Sequence, residues 1–224
     1  MLQAQNLSII FGSRTLFDNV SFTIQPRDRI GLVGRNGVGK STLLKTINGE
    51  ISPQEGNITK PGGYTIGFLK QEIRGQNEPT VWLEAQTAFR EINVLQEELD
   101  QIQHQLETRT DYDSEAYMNL SQLFCDLNDR LIHLDVDDKD KKTELVLLGL
   151  GYKREDFEKA PATFSGGWAM RLELAKLLLQ NPDLLMLDEP TNHLDIESII
   201  WLEEFFQKYE GAIILVSHDK TFLD

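Results

Sequence analysis

Cysteine and long apolar runs are scarce in this chain of 224 residues. The single cysteine, Cys125, excludes an intrachain disulfide framework and suits a reducing compartment. No stretch approaches the roughly 18 consecutive apolar residues of a membrane span, and Met1 does not lead into a basic segment followed by an apolar one. We therefore expect a cytoplasmic protein without a signal peptide or direct membrane insertion.

Basic residues are also few, since 22 Lys and Arg stand against 36 Asp and Glu and give a net charge of −14. The excess is uneven: residues 1–83 carry a net +3, residues 84–135 a net −9 and residues 136–224 a net −8. Nucleic-acid phosphates are bound mainly by positive surfaces. We therefore expect little nucleic-acid affinity from this chain alone.

The clearest motif present is a glycine-rich loop between an apolar segment, residues 29–33, and a segment that reads as a helix. In such a loop the backbone N–H groups, together with the helix N-terminus, form an anion site. Lys40 is predicted to reach the β- and γ-phosphates of a nucleotide, and the Ser41 hydroxyl to ligate Mg²⁺. The loop matches G-x-x-x-x-G-K-[ST], and its predicted binding residues are Gly34, Arg35, Asn36, Gly37, Val38, Gly39, Lys40, Ser41 and Thr42.

A second apolar segment, residues 184–187, ends at two adjacent carboxylates. Asp188 is predicted to hold Mg²⁺, and Glu189 to orient or deprotonate the attacking water. Phosphoryl transfer needs mainly charge neutralisation and an in-line nucleophile, which a lysine, a metal and a carboxylate supply. Upstream, Ser165, Gly166 and Gly167 begin a helix that can offer N–H groups to a phosphate. The combination predicts nucleotide hydrolysis.

The order of the remaining elements predicts an α/β fold. Residues 7–11 and 20–24 alternate like two antiparallel strands, whereas residues 29–33, 64–69, 184–187 and 212–216 read as further, mostly buried strands. Helices are expected after the phosphate loop, after Ser165–Gly167 and over residues 196–209. An antiparallel β start on a mainly parallel core follows.

Residues 84–135 form a helical insertion in this pattern. Apolar residues recur there at spacings of three and four, with a polar break at residues 108–111. Two helices with a short polar link most simply make an antiparallel hairpin. Two readings stay open: a projecting hairpin, which we favour, or a pair of amphipathic helices packed on the core.

Together these motifs resemble, in order and over essentially the whole chain, an ATP-binding cassette (ABC) nucleotide-binding domain. The resemblance implies an ABC-type P-loop NTPase domain over residues 1–224, with an antiparallel β subdomain, a mainly parallel core sheet and a helical subdomain that carries the hairpin. It implies ATP hydrolysis with ATP and Mg²⁺ bound. Lys40, Glu189, Gln71 and His218 would be its catalytic residues.

The resemblance assigns several further positions. Phe11 matches an aromatic residue that stacks on adenine, Gln71 a glutamine that senses Mg²⁺ and the γ-phosphate, and His218 a histidine that contacts the γ-phosphate. Residues 192–195 match the loop that the family calls the D-loop. Trp168 departs from the glutamine of the general signature, and it is similar to a variant found in first cassettes.

A partner is also implied by the family pattern. In that pattern ATP lies between the phosphate loop of one domain and the Ser165–Gly167 equivalent of another. We therefore expect a second ABC domain, and weak hydrolysis by the isolated domain. The chain ends at Asp224, six residues after His218, and so resembles a fragment that lacks a linker and a second cassette.

The sequence DEPTNHLD at residues 188–195, together with the long insertion, resembles the corresponding segments of the ABC-F group, which are soluble cassette ATPases that act on ribosomes. This implies a ribosome partner and an arm at residues 84–135. The alternative is the ATP-binding subunit of an ABC membrane transporter, which shares every ATP motif, although the heptad insertion argues against it. A non-hydrolysing module would be expected to have lost Lys40, Glu189 or His218.

Overall fold

Two β-sheets organise the chain, and the computed structural model describes residues 1–11, 14–35, 37–70, 76–133 and 138–216. The strands are β1 (Leu2–Phe11), β2 (Arg14–Ile24), β3 (Arg29–Gly31), β4 (Glu55–Thr59), β5 (Ile66–Leu69), β6 (Leu184–Asp188) and β7 (Ala212–Val216). The first sheet is antiparallel, in the order β2-β1-β4, and the second is parallel, in the order β3-β7-β6-β5. The predicted α/β class, with its antiparallel subdomain and parallel core, is confirmed.

Helices cover both faces of the parallel sheet. Within the described residues they are α1 (Lys40–Ile47), α2 (Val81–Gln86), α3 (Arg90–Thr108), α4 (Glu115–His133), α5 (Lys139–Gly149), α6 (Gly166–Gln180) and α7 (Ile196–Lys208).

The two central strands are buried along their whole length, and every residue of β6 and β7 is buried. Along β6 the side chains alternate between two cores, because successive residues of a strand point to opposite faces. Leu185 and Leu187 join the core formed with α2, α5, α6 and α7, whereas Leu184 and Met186 join the core formed with α1 and the antiparallel sheet. Packing on both faces fixes where β6 ends, and therefore where its terminal carboxylates lie.

Helices α3 and α4 pack against each other through an apolar cluster of their own. Their link is ordered by Ser114, whose hydroxyl accepts from the N–H of Tyr117 (3.0 Å) and donates to Asp111 (2.8 Å). The beginning of the sequence-predicted insertion is not part of this pair, because α2 is packed on the main core instead. The buried residues of the pair are Leu95, Leu99, Ile102, Leu127 and Leu131.

One strand, β4, was missed by the sequence pattern. It pairs antiparallel with β1 through Gln3 opposite Thr59 and Ala4 opposite Ile58. Four of its five residues are exposed, so the apolar alternation that signals a strand is nearly absent. Its existence depends on backbone pairing with β1.

Candidate functional site

The glycine-rich loop connects β3 to α1 at the carboxyl edge of the parallel sheet. Leu32 extends the pairing beyond β3 by donating its N–H to the Leu215 carbonyl (2.8 Å). Helix α1 then begins at Lys40, with Gly39 at its N-cap in the left-handed region (φ 108°). A Cβ on Gly39 would also lie 3.0 Å from the ring of Phe17. Both the backbone and the packing therefore demand glycine here.

The side chain of Lys40 folds back over this loop. Its ammonium donates to the carbonyls of Gly34 (2.7 Å) and Arg35 (3.3 Å). These contacts hold the positive charge beside the backbone that is predicted to surround the phosphates. The geometry places a cation and a helix N-terminus next to each other, an arrangement that suits an anionic ligand.

The phosphate loop and the strand-end carboxylates meet through Ser41 and Asp188. The Ser41 hydroxyl donates to Oδ2 of Asp188 at 2.6 Å, across 147 positions of sequence. Asp188 is the last residue of β6, lies opposite Val216 of β7 and is 9% exposed. A hydroxyl and a carboxylate oxygen are hard ligands of the kind that Mg²⁺ prefers. The two residues therefore fit the metal that the sequence predicts.

Glu189 follows in an uncommon backbone conformation. Its φ of 55° and ψ of 50° lie in the left-handed region, which non-glycine residues seldom adopt. Its N–H donates to the Val216 carbonyl (2.9 Å), which ties it to the end of β7. A 3-10 turn, Pro190–His193, begins immediately afterwards. Backbone strain of this kind is concentrated at functional sites.

The segment Ser165–Gly167 lies at the start of α6 and faces outward. Ser165 is the N-cap residue, and its side chain makes no capping hydrogen bond. Ser165 and Gly166 are exposed, and a Cβ on Gly166 would meet nothing within 4 Å. Gly167 lies near His193, whose Nδ1 would be 3.7 Å from an added Cβ. The helix N-terminus is thus accessible to a ligand held by another surface.

Arg171 was missed by the sequence analysis, because an arginine within a helix ordinarily indicates a solvated face. Its Nε donates to the His193 carbonyl (2.7 Å), and its Nη1 to the Leu150 carbonyl (3.0 Å) and Asp195 Oδ2 (2.9 Å). The guanidinium also lies 4.5 Å from the ring centroid of Trp168. Arg171 therefore joins the segment after Ser165 to the loop that ends at Asp195.

Asp195 itself caps α7 by accepting the N–H of Ser198 (2.9 Å). That hydrogen bond is the main reason why the pKa of Asp195 is lowered, with a smaller contribution from Arg171 and a partial opposition from burial. The carboxylate is therefore kept ionised, and it fixes the start of α7 next to the loop.

Three predicted site residues, Asn36, Gln71 and His218, lie outside the described residues. Of Phe11 the structure describes the backbone only, which ends β1 opposite Arg14. Among the described residues, the structure brings Lys40, Ser41 and Asp188 together, with Glu189 next in sequence to Asp188.

Comparison with protein families gives a match over residues 17–192 to a family described as "ABC transporter". The chain is 38% identical over 224 residues to "ABC transporter F family member 5" of Arabidopsis thaliana. This alignment covers 100% of this chain and 32% of the relative. It is also 38% identical over 224 residues to "Probable ATP-binding protein YheS" of Escherichia coli (strain K12), and this alignment covers 100% of this chain and 33% of the relative. The chain thus spans about one third of the length of these relatives.

Solved structures share the fold. An ATP-binding subunit of an ABC transporter superposes with a TM-score of 0.68 at 19% identity, covering 97% of this chain and 79% of that one. The dimeric MJ0796 bacterial ABC transporter cassette gives 0.65 at 18% identity, covering 100% and 90%. In the described part of this chain, none of the helices combines the length and the apolar character that crossing a membrane requires.

Proposed function

Because this chain belongs to the ATP-binding cassette family of ATPases, which hydrolyse ATP, we propose that it binds MgATP at its phosphate loop and works as one cassette of an ABC-F protein acting on the ribosome. The observation that carries the proposal is the contact of Ser41 with Asp188, which joins the two predicted halves of the site. The phosphate loop and the carboxylates that bind the metal can act on the same nucleotide only when they lie side by side.

In this proposal each described residue of the site has a distinct task. Lys40 leaves the carbonyls of Gly34 and Arg35, to which it now donates, and binds the β- and γ-phosphates. Ser41 and Asp188 hold Mg²⁺, which neutralises phosphate charge when bound. Glu189 orients or deprotonates the attacking water. Phosphoryl transfer requires of a protein mainly the positioning of the reacting groups and electrostatic stabilisation of the phosphates, rather than covalent chemistry.

The positions outside the described residues complete the proposal. Gln71 would sense Mg²⁺ and the γ-phosphate, His218 would contact the γ-phosphate, and Asn36 would belong to the phosphate loop. Phe11 would stack on adenine. These roles come from the family resemblance and remain proposals.

A second cassette is proposed to complete the site. Ser165 and Gly166 are exposed at a helix N-terminus whose donors suit a phosphate, and they lie in the element that matches the family signature. A solved cassette with the same fold is described as dimeric. We therefore propose that Ser165, Gly166 and Gly167 bind ATP held by the partner domain, and that the isolated chain hydrolyses ATP slowly.

The F-family relatives support membership of the ABC-F group, and the resemblance to that group implies the ribosome role. We propose that the helix pair α3 and α4 is an arm within residues 84–135. This segment carries a net charge of −9, so we propose that it meets basic ribosomal proteins, whereas a linker outside this chain would contact RNA. Closure of two cassettes on ATP and reopening on hydrolysis would be reported through the arm. Action in the cytoplasm follows from the proposal.

Ribosome sedimentation of the full-length protein tests the proposal. Glu189→Gln should trap the closed, ATP-bound form, and we expect it to co-sediment with ribosomes in ATP but not in ADP. Failure of the variant to associate in ATP would refute the ribosome role. Unchanged ATP turnover in the same variant would instead refute the assignment of Glu189. Co-purification with a membrane protein would favour the alternative, a transporter subunit.

A further inference from the structure

Large aliphatic side chains lie open to solvent on α5 and α7, on the side of the parallel sheet opposite to α1. The exposed fractions are 58% for Leu145, 40% for Leu148, 76% for Ile196 and 51% for Ile200. Exposed apolar residues that are scattered singly are ordinary, whereas a continuous apolar surface marks an interaction site. The arrangement of the two helices makes these residues one surface.

Both helices present these residues to the same side. Each helix buries its opposite face in one shared core, through Val146, Leu147, Leu202 and Phe206. On α5, Leu145 and Leu148 are three positions apart, a spacing that places them on one helical face. On α7, Ile196 and Ile200 are four positions apart and likewise share a face. Because the buried faces meet in the same core, the two exposed faces point to the same solvent.

The two exposed faces meet where Trp201 lies against Gly149. A Cβ on Gly149 would lie 2.0 Å from the indole Cε2, so the half-buried ring rests directly on the backbone of α5. Gly149 follows Leu148 in sequence, and Trp201 follows Ile200. The indole therefore bridges the helices and completes a continuous apolar surface. We call this surface the α5–α7 strip, formed by Leu145, Leu148, Trp201, Ile200 and Ile196.

Glutamates flank the α7 part of the strip. At about 3.6 residues per turn, Glu203 falls on one side of the two isoleucines, and Glu197 and Glu204 fall on the other. Within the described part of the chain, none of these three carboxylates makes an ion pair. By contrast, Lys141 and Glu144 of α5 are both paired. The unbalanced charge beside the strip is therefore negative and lies on α7.

This charge decides which occupant fits. A second copy of the chain that used the same strip would bring the glutamates of both copies together, and like charges at an interface repel. A helix with an apolar seam is the usual partner of an apolar surface between two helices. Lysine or arginine beside that seam would meet the glutamates of α7 with the opposite charge.

We propose that the α5–α7 strip is a docking surface for a basic amphipathic helix of a partner protein. The apolar seam of that helix packs on Leu148 and Ile200, to either side of Trp201. Its basic residues pair with Glu197 and Glu204. Neither nucleotide nor metal takes part in this contact, so the inference does not rest on the proposed function.

Fluorescence anisotropy of a labelled peptide tests the strip with the 224-residue chain in the absence of nucleotide. The probe is a peptide of about 18 residues that contains only leucine and lysine, with leucine at the spacing of one helical face. The matched peptide has the same composition, but its leucines and lysines alternate and cannot form one apolar helical face. We expect the probe to bind about tenfold more tightly than the alternating peptide, and to bind more weakly as salt is added.

Variants of the chain locate the binding surface. Ile200→Ser and Leu148→Ser should each weaken probe binding by about five- to tenfold, because each removes an apolar side chain from the contact. Glu197→Gln combined with Glu204→Gln should weaken binding by about threefold at low salt and reduce its salt dependence. Val94→Ser is the matched control, because Val94 is 57% exposed but lies on α3, outside the strip. Urea unfolding of each variant checks that it is folded under the assay conditions.

Three results would overturn the inference. The first is a probe that binds no more tightly than the alternating peptide. The second is binding to folded Ile200→Ser and Leu148→Ser chains that equals binding to the unmodified chain. The third is dimerisation of the unmodified chain in sedimentation equilibrium that Ile200→Ser abolishes, which would assign the strip to a second copy.

Discussion

Replacing Arg171 with methionine is expected to lower the free energy of unfolding by about 3 kcal/mol. The carbonyls of His193 and Leu150 would lose a charged donor, and each poorly satisfied acceptor costs about 1 to 2 kcal/mol. The ion pair with Asp195 contributes less than about 1 kcal/mol, because that side chain is 55% exposed. Methionine keeps most of the contact with Trp168, so the loss of packing is small.

Urea unfolding followed by circular dichroism measures this loss. The urea concentration at the midpoint of unfolding should fall, whereas the slope of the unfolding free energy against urea concentration should be unchanged. This is the pattern of a variant that loses stability but exposes the same surface area on unfolding. Arg154→Met is the matched control, because Arg154 is 76% exposed and makes its hydrogen bond to Glu144 at the surface. We expect the control to cost less than about 0.5 kcal/mol. Equal losses in the two variants would refute the reasoning.

The pH dependence gives an independent check. The pKa of Asp195 is lowered in the folded chain from its ordinary value of 3.8, so its stabilisation is fully present above that value and is lost as the pH falls through the lowered pKa. Only the ionised carboxylate pairs with Arg171. The difference in stability between the unmodified chain and Arg171→Met should therefore shrink below pH 3.8, and a difference that grows there would contradict the ion pair.

Two further variants test the nucleotide site. Gly39→Ala should weaken ATP binding by about tenfold in a fluorescent-nucleotide titration, because alanine is strained at φ 108° and its Cβ would press on the ring of Phe17. Gly62→Ala is the control: a Cβ there meets nothing within 4 Å, so ATP affinity should be unchanged. Asp188→Asn should raise the Mg²⁺ concentration needed for ATP binding by about tenfold, and a Mg²⁺ titration that superposes on that of the unmodified chain would exclude Asp188 from the metal site.

Sequence patterns predicted the fold correctly where a residue pattern is compatible with few local structures. The phosphate-loop glycines and the buried strands ending at Asp188 predicted the parallel core and the neighbouring elements of the site, because apolar strands of this length must be covered on both faces. For the loop and the strands, local pattern and global fold agree. Family resemblance added the positions at which a second domain would act, and these stay predictions.

The networks around Arg171 and Glu84 could not be predicted, because charged residues in helices have the same spacing whether they face solvent or a buried partner. Arg171 reaches three acceptors on two segments that are distant in sequence, Leu150 and the loop from His193 to Asp195. Glu84 of α2 and Lys176 of α6, whose side chains are hydrogen-bonded at 2.7 Å, are 92 positions apart. Such pairs depend on how the helices pack. Strand β4 was missed for a related reason, since its main partner is the backbone of β1.

The left-handed conformation of Glu189 has a consequence for how this domain can evolve. A glutamate held at φ 55° carries a backbone penalty of about 1 kcal/mol that glycine would not. Selection for thermal stability alone would therefore replace the glutamate at this position with glycine. If Glu189 has the proposed role in activating water, the stability of the folded domain and its rate of ATP hydrolysis place opposite demands on this single residue.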